Sequence, residues 1–182
     1  MTQTNVRSIA SLIIVFSRSP SFGAGAESGL ELEVQDIAAT LSGQTTSTVT
    51  VYELHFDLKV TNKSARPVRI PKAVSAFGVT TVFVSAIERQ QTDGDWTFLS
   101  QSSFYGTNRM KYTDCSPLAP GKSAEIRVSN YVLPLPRVTA RELGNEPTLR
   151  ASVMLFCKAT GGFKYTSGTT APFELTLPTV DQ

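Results

Sequence analysis

Residues 51–60 read VYELHFDLKV, with Tyr52, Leu54, Phe56, Leu58 and Val60 on one side of a strict alternation and Glu53, His55, Asp57 and Lys59 on the other. Successive side chains of an extended strand point to opposite faces, so this stretch buries its apolar half only as one strand of a sheet with a core on one side and water on the other. The same rule recurs on either side of it. Leu30, Leu32 and Val34 alternate with Glu31, Glu33 and Gln35, and Ala124, Ile126 and Val128 alternate with Glu125 and Arg127. Leu149, Ala151, Val153, Leu155 and Cys157 form a further inward series. Shorter runs at Val68–Ile70, Val79–Ile87, Trp96–Leu99, Phe163–Tyr165 and Phe173–Leu177 bring the tally to about nine strands.

Turn chemistry separates these runs. Asn62-Lys63-Ser64-Ala65-Arg66-Pro67 ends one strand and begins another. Thr92-Asp93-Gly94-Asp95 and Gly161-Gly162 are hairpin signals, with glycine supplying a backbone conformation that other side chains resist. Only Pro136–Gly144 reads as helical, centred on 138–144, with Thr139 as the cap candidate and Gly144 as the stop. Strands without alternating helices mean an all-β protein. The expected architecture is a two-sheet antiparallel β-sandwich of about seven to nine strands, with a Greek-key barrel as the alternative. Residues 27–182 carry no internal repeat and no break in composition, so they are expected to form a single domain.

Two stretches add a resemblance. Leu54–Ile70 (LHFDLKVTNKSARPVRI) resembles the strand, turn and strand of bacterial immunoglobulin-like and fibronectin-III-like modules, and Leu118–Val128 (LAPGKSAEIRV) resembles their later Pro-Gly turn and strand. The same pair is similar to motifs of the bacterial intracellular proteinase inhibitor family, which shares such a sandwich. Together they cover about 28 of the 182 residues. The resemblance implies an immunoglobulin-like Greek key and no particular site residue. An export signal would depart from the intracellular family.

Composition bears on compartment and partners. Seventeen Lys and Arg stand against fifteen Asp and Glu; Arg7 and Arg18 lie in the first 26 residues, which hold no acid, so residues 27–182 carry fifteen of each sign. That balance supplies no reason to expect nucleic acid as a partner. Met1–Arg7 is polar with one positive charge, Ile9–Phe16 (IASLIIVF) is almost wholly apolar, and Ala24-Gly25-Ala26 has the small-x-small form cleaved by signal peptidase. Residues 1–26 therefore read as an export signal, the alternative being a buried strand of the domain. No later stretch approaches the roughly 18 apolar residues of a membrane helix, so no membrane span is expected in the mature chain. Cys115 and Cys157 are an even pair in a chain otherwise without cysteine, and export favours a disulfide between them over two buried thiols. The expected location is secreted or periplasmic.

Candidates for chemistry are few. Glu53, His55 and Asp57 project from one face and could approach a metal, but catalytic zinc and iron sites commonly require more than one nitrogen or sulfur ligand, and His55 is the single histidine. A solvated outer face is the plainer reading, and no metal or other cofactor is expected. A Ser-His-Asp hydrolase would also have to use His55, and the chain has no G-x-S-x-G elbow. Lys59, Lys63, Arg66, Arg69 and Lys72 place five cations in fourteen residues. Such a run either meets an anionic polymer or lipid headgroup or keeps a sheet edge soluble.

The eleven residues Ser102–Tyr112 (SSFYGTNRMKY) exceed an ordinary hairpin loop and hold residue types that concentrate interface energy. Phe104, Tyr105, Arg109 and Tyr112 are the expected partner-binding residues. The function expected is an exported, non-enzymatic binding, adhesion or surface-assembly module for a protein or other extracellular partner. A proteinase-inhibitor-like protein is the alternative, and a metal-dependent enzyme comes third. Asn62-Lys63-Ser64 is a sequon that would matter only in a eukaryotic secretory pathway. The N-terminal reading predicts that intact mass of exported protein corresponds to a chain starting at or near Glu27; folded, functional protein retaining Met1–Ala26 would contradict it.

Overall fold

The computed structural model describes residues 29–72, 81–101, 112–144 and 146–178. Ten strands and one short helix lie among them: β1 (Leu30–Leu41), β2 (Val49–Asn62), β3 (Val68–Pro71), β4 (Val82–Gln90), β5 (Trp96–Gln101), β6 (Cys115–Leu118), β7 (Ser123–Pro136), α1 (Arg137–Glu142), β8 (Thr148–Ala159), β9 (Gly162–Thr169) and β10 (Phe173–Glu174). The first sheet runs β1-β2-β7 and the second β10-β8-β4-β5, with β9 also paired to β8. A two-stranded sheet, β3-β6, joins them. All strand pairs are antiparallel. The chain crosses from the first sheet to the second after β2, returns for β7 beside β2, and crosses again to β8 beside β4, which makes the all-β sandwich a Greek key.

The alternation of β2 sets the core. Tyr52, Leu54, Phe56, Leu58 and Val60 are all buried, and they pack in one cluster with Val84, Ile87, Leu149, Ala151, Val153 and Leu155 of the second sheet. Ile70 and Leu118 bring the small sheet into the same cluster, and Ala140 and Leu143 bring in the helical segment. Two irregularities bend the first sheet around His55. Asp36 and Ile37 of β1 together oppose Phe56, and Ser129 and Asn130 of β7 together oppose His55. Asp36 has a positive φ of 49°, the conformation in which an extra residue is accommodated at such a bulge.

Two elements differ from the sequence expectation. The strand through Ile126 continues to Pro136, because Leu133 and Leu135 are fully buried at alternate positions while Pro134 and Pro136 face outward. Proline is tolerated there because, among the described residues, β7 pairs with β2 alone and forms the sheet edge. The helix covers Arg137–Glu142, not 138–144, and Thr139 is not its cap. Pro136 holds that position with no side-chain cap bond, and its fixed φ favours the turn into the helix. Gly144 follows the helix with φ 76°.

Asn62 locks the turn after β2. It is fully buried, its Nδ2 donates to the carbonyls of Arg66 and Leu118 at 2.8 Å each, and its Oδ1 accepts from the Ser64 amide and hydroxyl at 2.9 and 2.7 Å. Its amide nitrogen is therefore committed to the fold and is not available for glycosylation in the folded chain. Gly29 packs against this turn with φ 61°, and a Cβ there would come within 2.6 Å of the Ser64 Cβ.

Cys115 and Cys157 form a disulfide with Cα atoms 4.9 Å apart and 42 positions of chain between them. It ties the start of β6 to a central strand of the second sheet. Chain-entropy arithmetic assigns a loop of this size about 3 to 4 kcal/mol. Replacing both cysteines with serine should lower the melting temperature by roughly 10 °C in non-reducing buffer while leaving the far-ultraviolet β spectrum in place. An unchanged melting temperature would mean that the bond contributes nothing to stability.

Candidate functional site

The two sheets turn chemically different outer faces to solvent. On the first sheet, neighbouring strands pair opposite charges. Lys59 meets Glu33 at 2.9 Å, Lys63 meets Glu31 at 2.9 Å, and Arg127 grips Asp57 through two bonds of 3.0 Å. Hydrogen bonding and charge from Arg127 hold the Asp57 carboxyl below its ordinary range, and Lys59 does the same for Glu33. The partners Lys59 and Arg127 shift upward in turn. Glu53 accepts a 2.6 Å bond from the Ser42 hydroxyl. The Glu53, His55 and Asp57 carboxylates and imidazole thus share one face of β2, with the two carboxylates turned to separate partners. Among the described residues no group of three His, Cys, Asp or Glu side chains is arranged to hold a metal ion.

The outer face of the second sheet is aromatic. Along β8 the inward series leaves Arg150, Ser152, Met154, Phe156 and Lys158 on the outer side, and register places Phe83 beside Met154, Tyr165 beside Phe156 and Phe163 beside Lys158. Phe163 and Tyr165 are 56% and 61% exposed, whereas Phe156 between them is 1% exposed. Phe156 is the floor on which the other rings rest, with centroids 6.4 Å from Phe163, 5.9 Å from Tyr165 and 6.0 Å from Tyr112. Tyr112 and Phe163 stack at 5.6 Å with 24° between their planes. Offset arrangements at these distances are favourable for aromatic pairs and fix ring orientation.

The disulfide places Tyr112 there. Beside it, the Lys158 amide donates to the Thr113 carbonyl at 2.7 Å and Asp114 bridges Lys158 in parallel, so residues 113–115 lie alongside the last turn of β8. The ring of Tyr112 can then lie over Phe156 and meet Phe163. An open cleft of about 360 Å³ adjoins the platform, lined by Arg69, Asp114, Cys115, Lys158, Ala159 and Thr160. At the other edge of the face, Arg150 makes bonds of 2.7 and 3.2 Å to buried Glu88 and stacks 4.4 Å over Trp96, next to Phe98, which is 65% exposed. That arginine is neutralised and anchored.

Of the residues expected to bind a partner, Tyr112 belongs to this platform; Phe104, Tyr105 and Arg109 lie outside the described residues. Sequence reasoning did not single out Phe156, Lys158, Phe163 or Tyr165. The signal was available in two places. Met154 and Phe156 occupy outward positions of β8, where a solvated strand carries polar residues, and Phe163-Lys164-Tyr165 puts two rings on one side of an adjacent strand. Within the cationic run, Lys59 and Lys63 are paired on the first sheet, while Arg66, Arg69 and Lys72 are exposed.

No protein-family model and no curated protein sequence matches the chain. Among solved structures it is similar to the X-ray structure of a Northeast Structural Genomics Consortium target, SoR45, with a TM-score of 0.39 and 10% identity over 84% of this chain and 89% of that one. It is also similar to a protein from Archaeoglobus fulgidus, with a TM-score of 0.28 and 14% identity over 81% of this chain and 100% of that one. At these values neither likeness carries an argument about fold or function.

Proposed function

We propose that this chain is an exported, non-enzymatic binding module of immunoglobulin-like type that docks an extracellular partner on the aromatic outer face of β8 and β9. The observation that carries the reading is the platform itself: Phe163 and Tyr165 are more than half exposed, yet their rings are held over buried Phe156. Exposed rings already fixed in place lose little conformational freedom on binding, which is where aromatic side chains gain their value at interfaces. An outward face of this composition stands in contrast to the paired charges on the first sheet, which suit permanent contact with water.

Other observations agree with this reading. A disulfide between Cys115 and Cys157 favours an oxidising compartment outside the cytosol. The strand order β1-β2-β7 against β9-β8-β4-β5 is compatible with an immunoglobulin-like module. The bond itself departs from the antibody pattern, since it joins the small sheet to β8 and does not bridge the two large sheets through their central strands.

The reading is tested with Phe163→Ala and Tyr165→Ala, each incubated with the envelope and secreted fractions of the source cells and chemically crosslinked. Because both rings are more than half exposed, stability should change by no more than about 1 kcal/mol, while recovery of the crosslinked partner should fall at least about tenfold. Undiminished recovery with both variants, or collapse of the fold, would overturn the docking face.

A further inference from the structure

Positive charge without an acidic partner gathers at one end of the aromatic face. Lys59, Lys63, Arg127 and Arg150 each have a carboxylate within 3.0 Å. By contrast, Arg69, Lys72 and Lys158 are exposed, and none of them is in an ion pair among the described residues. Their positions converge on the disulfide. Lys158 and Arg69 line the cleft beside it, and the Lys72 amide donates to the Asp114 carbonyl at 2.9 Å. One carboxylate, Asp114, shares the cleft and leaves the cluster strongly positive. Lys158 joins the two halves, since it lines the cleft and also lies directly opposite Phe163 on the same outer face.

Resting on the reading of this face as a docking surface, we propose that its ligand is an acidic polysaccharide, with sugar rings lying on Phe163, Tyr112 and Tyr165 and a carboxylate held by Lys158 and Arg69. A pyranose ring presents a flat array of C–H groups that packs on an aromatic face, while its equatorial hydroxyls stay in water. The open platform offers such a surface, whereas protein hot spots concentrate where side chains fill desolvated pockets. Uronate carboxylates supply the charge that the cations lack, through the charge-assisted bonds that Lys and Arg make with carboxylates. An acidic peptide added to the edge of β9 would meet Lys164 but would leave Tyr112, which lies across β8 from that edge, and the Arg69 cleft unused.

The test uses the full chain and three probes in calorimetric titration: a galacturonate oligomer of about ten sugars, the same oligomer with its carboxyls reduced to neutral alcohols, and polyglutamate of matched charge. The galacturonate oligomer should bind, and each of the other two should bind at least about tenfold more weakly. Phe163→Ala and Lys158→Glu should each weaken galacturonate binding at least about tenfold, while Lys158→Arg keeps it within about threefold. Melting temperature and intact disulfide mass confirm that each variant is folded. No binding of the galacturonate oligomer, equal binding of polyglutamate, or indifference to Phe163→Ala would overturn the proposal. The crosslinking experiment on the same Phe163→Ala protein separates the two ideas: if partner recovery falls although galacturonate does not bind, the docking face stands and only the sugar assignment is lost.

Discussion

The alternation along β2 is the constraint on which the rest depends. Its five apolar side chains must all leave water together, and each contributes about 1.5 to 3 kcal/mol when buried. A one-residue slip in register would turn all of them outward. Hydrogen bonding to β1 on one side and β7 on the other holds that register, and the bulges around His55 take up the twist without reversing any face. The charged half of β2 is thereby turned to the outer side, where Glu33 of β1 pairs with Lys59 and Arg127 of β7 pairs with Asp57.

The second sheet follows from the same core but solves its outer face differently. Once Leu149, Ala151, Val153, Leu155 and Cys157 are turned inward, Met154, Phe156 and Lys158 must point out. The hairpin at Gly161-Gly162 then brings Phe163 and Tyr165 beside them, because antiparallel partners directly opposite one another share a face. Inward-facing Cys157 bonds to Cys115 and so draws residues 112–115 against the other side of β8. One covalent link thus serves stability and builds the third wall of the aromatic platform, with the cationic cleft at its end.

Most of the fold was legible because burial leaves a period in the sequence. The inner residues of β2 and β8 could be named from alternation alone, as could the turns at Gly94 and Gly161. The continuation of β7 was hidden by Pro134 and Pro136, whose meaning depends on whether the strand lies at an edge, a fact of topology and not of local composition. Thr139 looked like a helix cap by type, but the preceding proline already supplied the entry geometry. The proposed docking face is harder to see in the sequence. Tyr112 stood out through the unusual length and aromatic content of its segment, whereas Phe163 and Tyr165 looked like ordinary strand residues. Only the pairing of β9 with β8 shows that their outward side meets Phe156.

On the proposed reading this molecule presents one face to a partner and the other to water. Hydroxyl-radical footprinting of the protein alone and in its native envelope or secreted assembly tests this directly, with His55 on the first sheet as the internal reference. Phe163 and Tyr165 should be oxidised readily in the isolated protein and protected several-fold in the assembly, while His55 is unchanged. Equal oxidation of both rings in the two states, with protection at His55 instead, would contradict that reading.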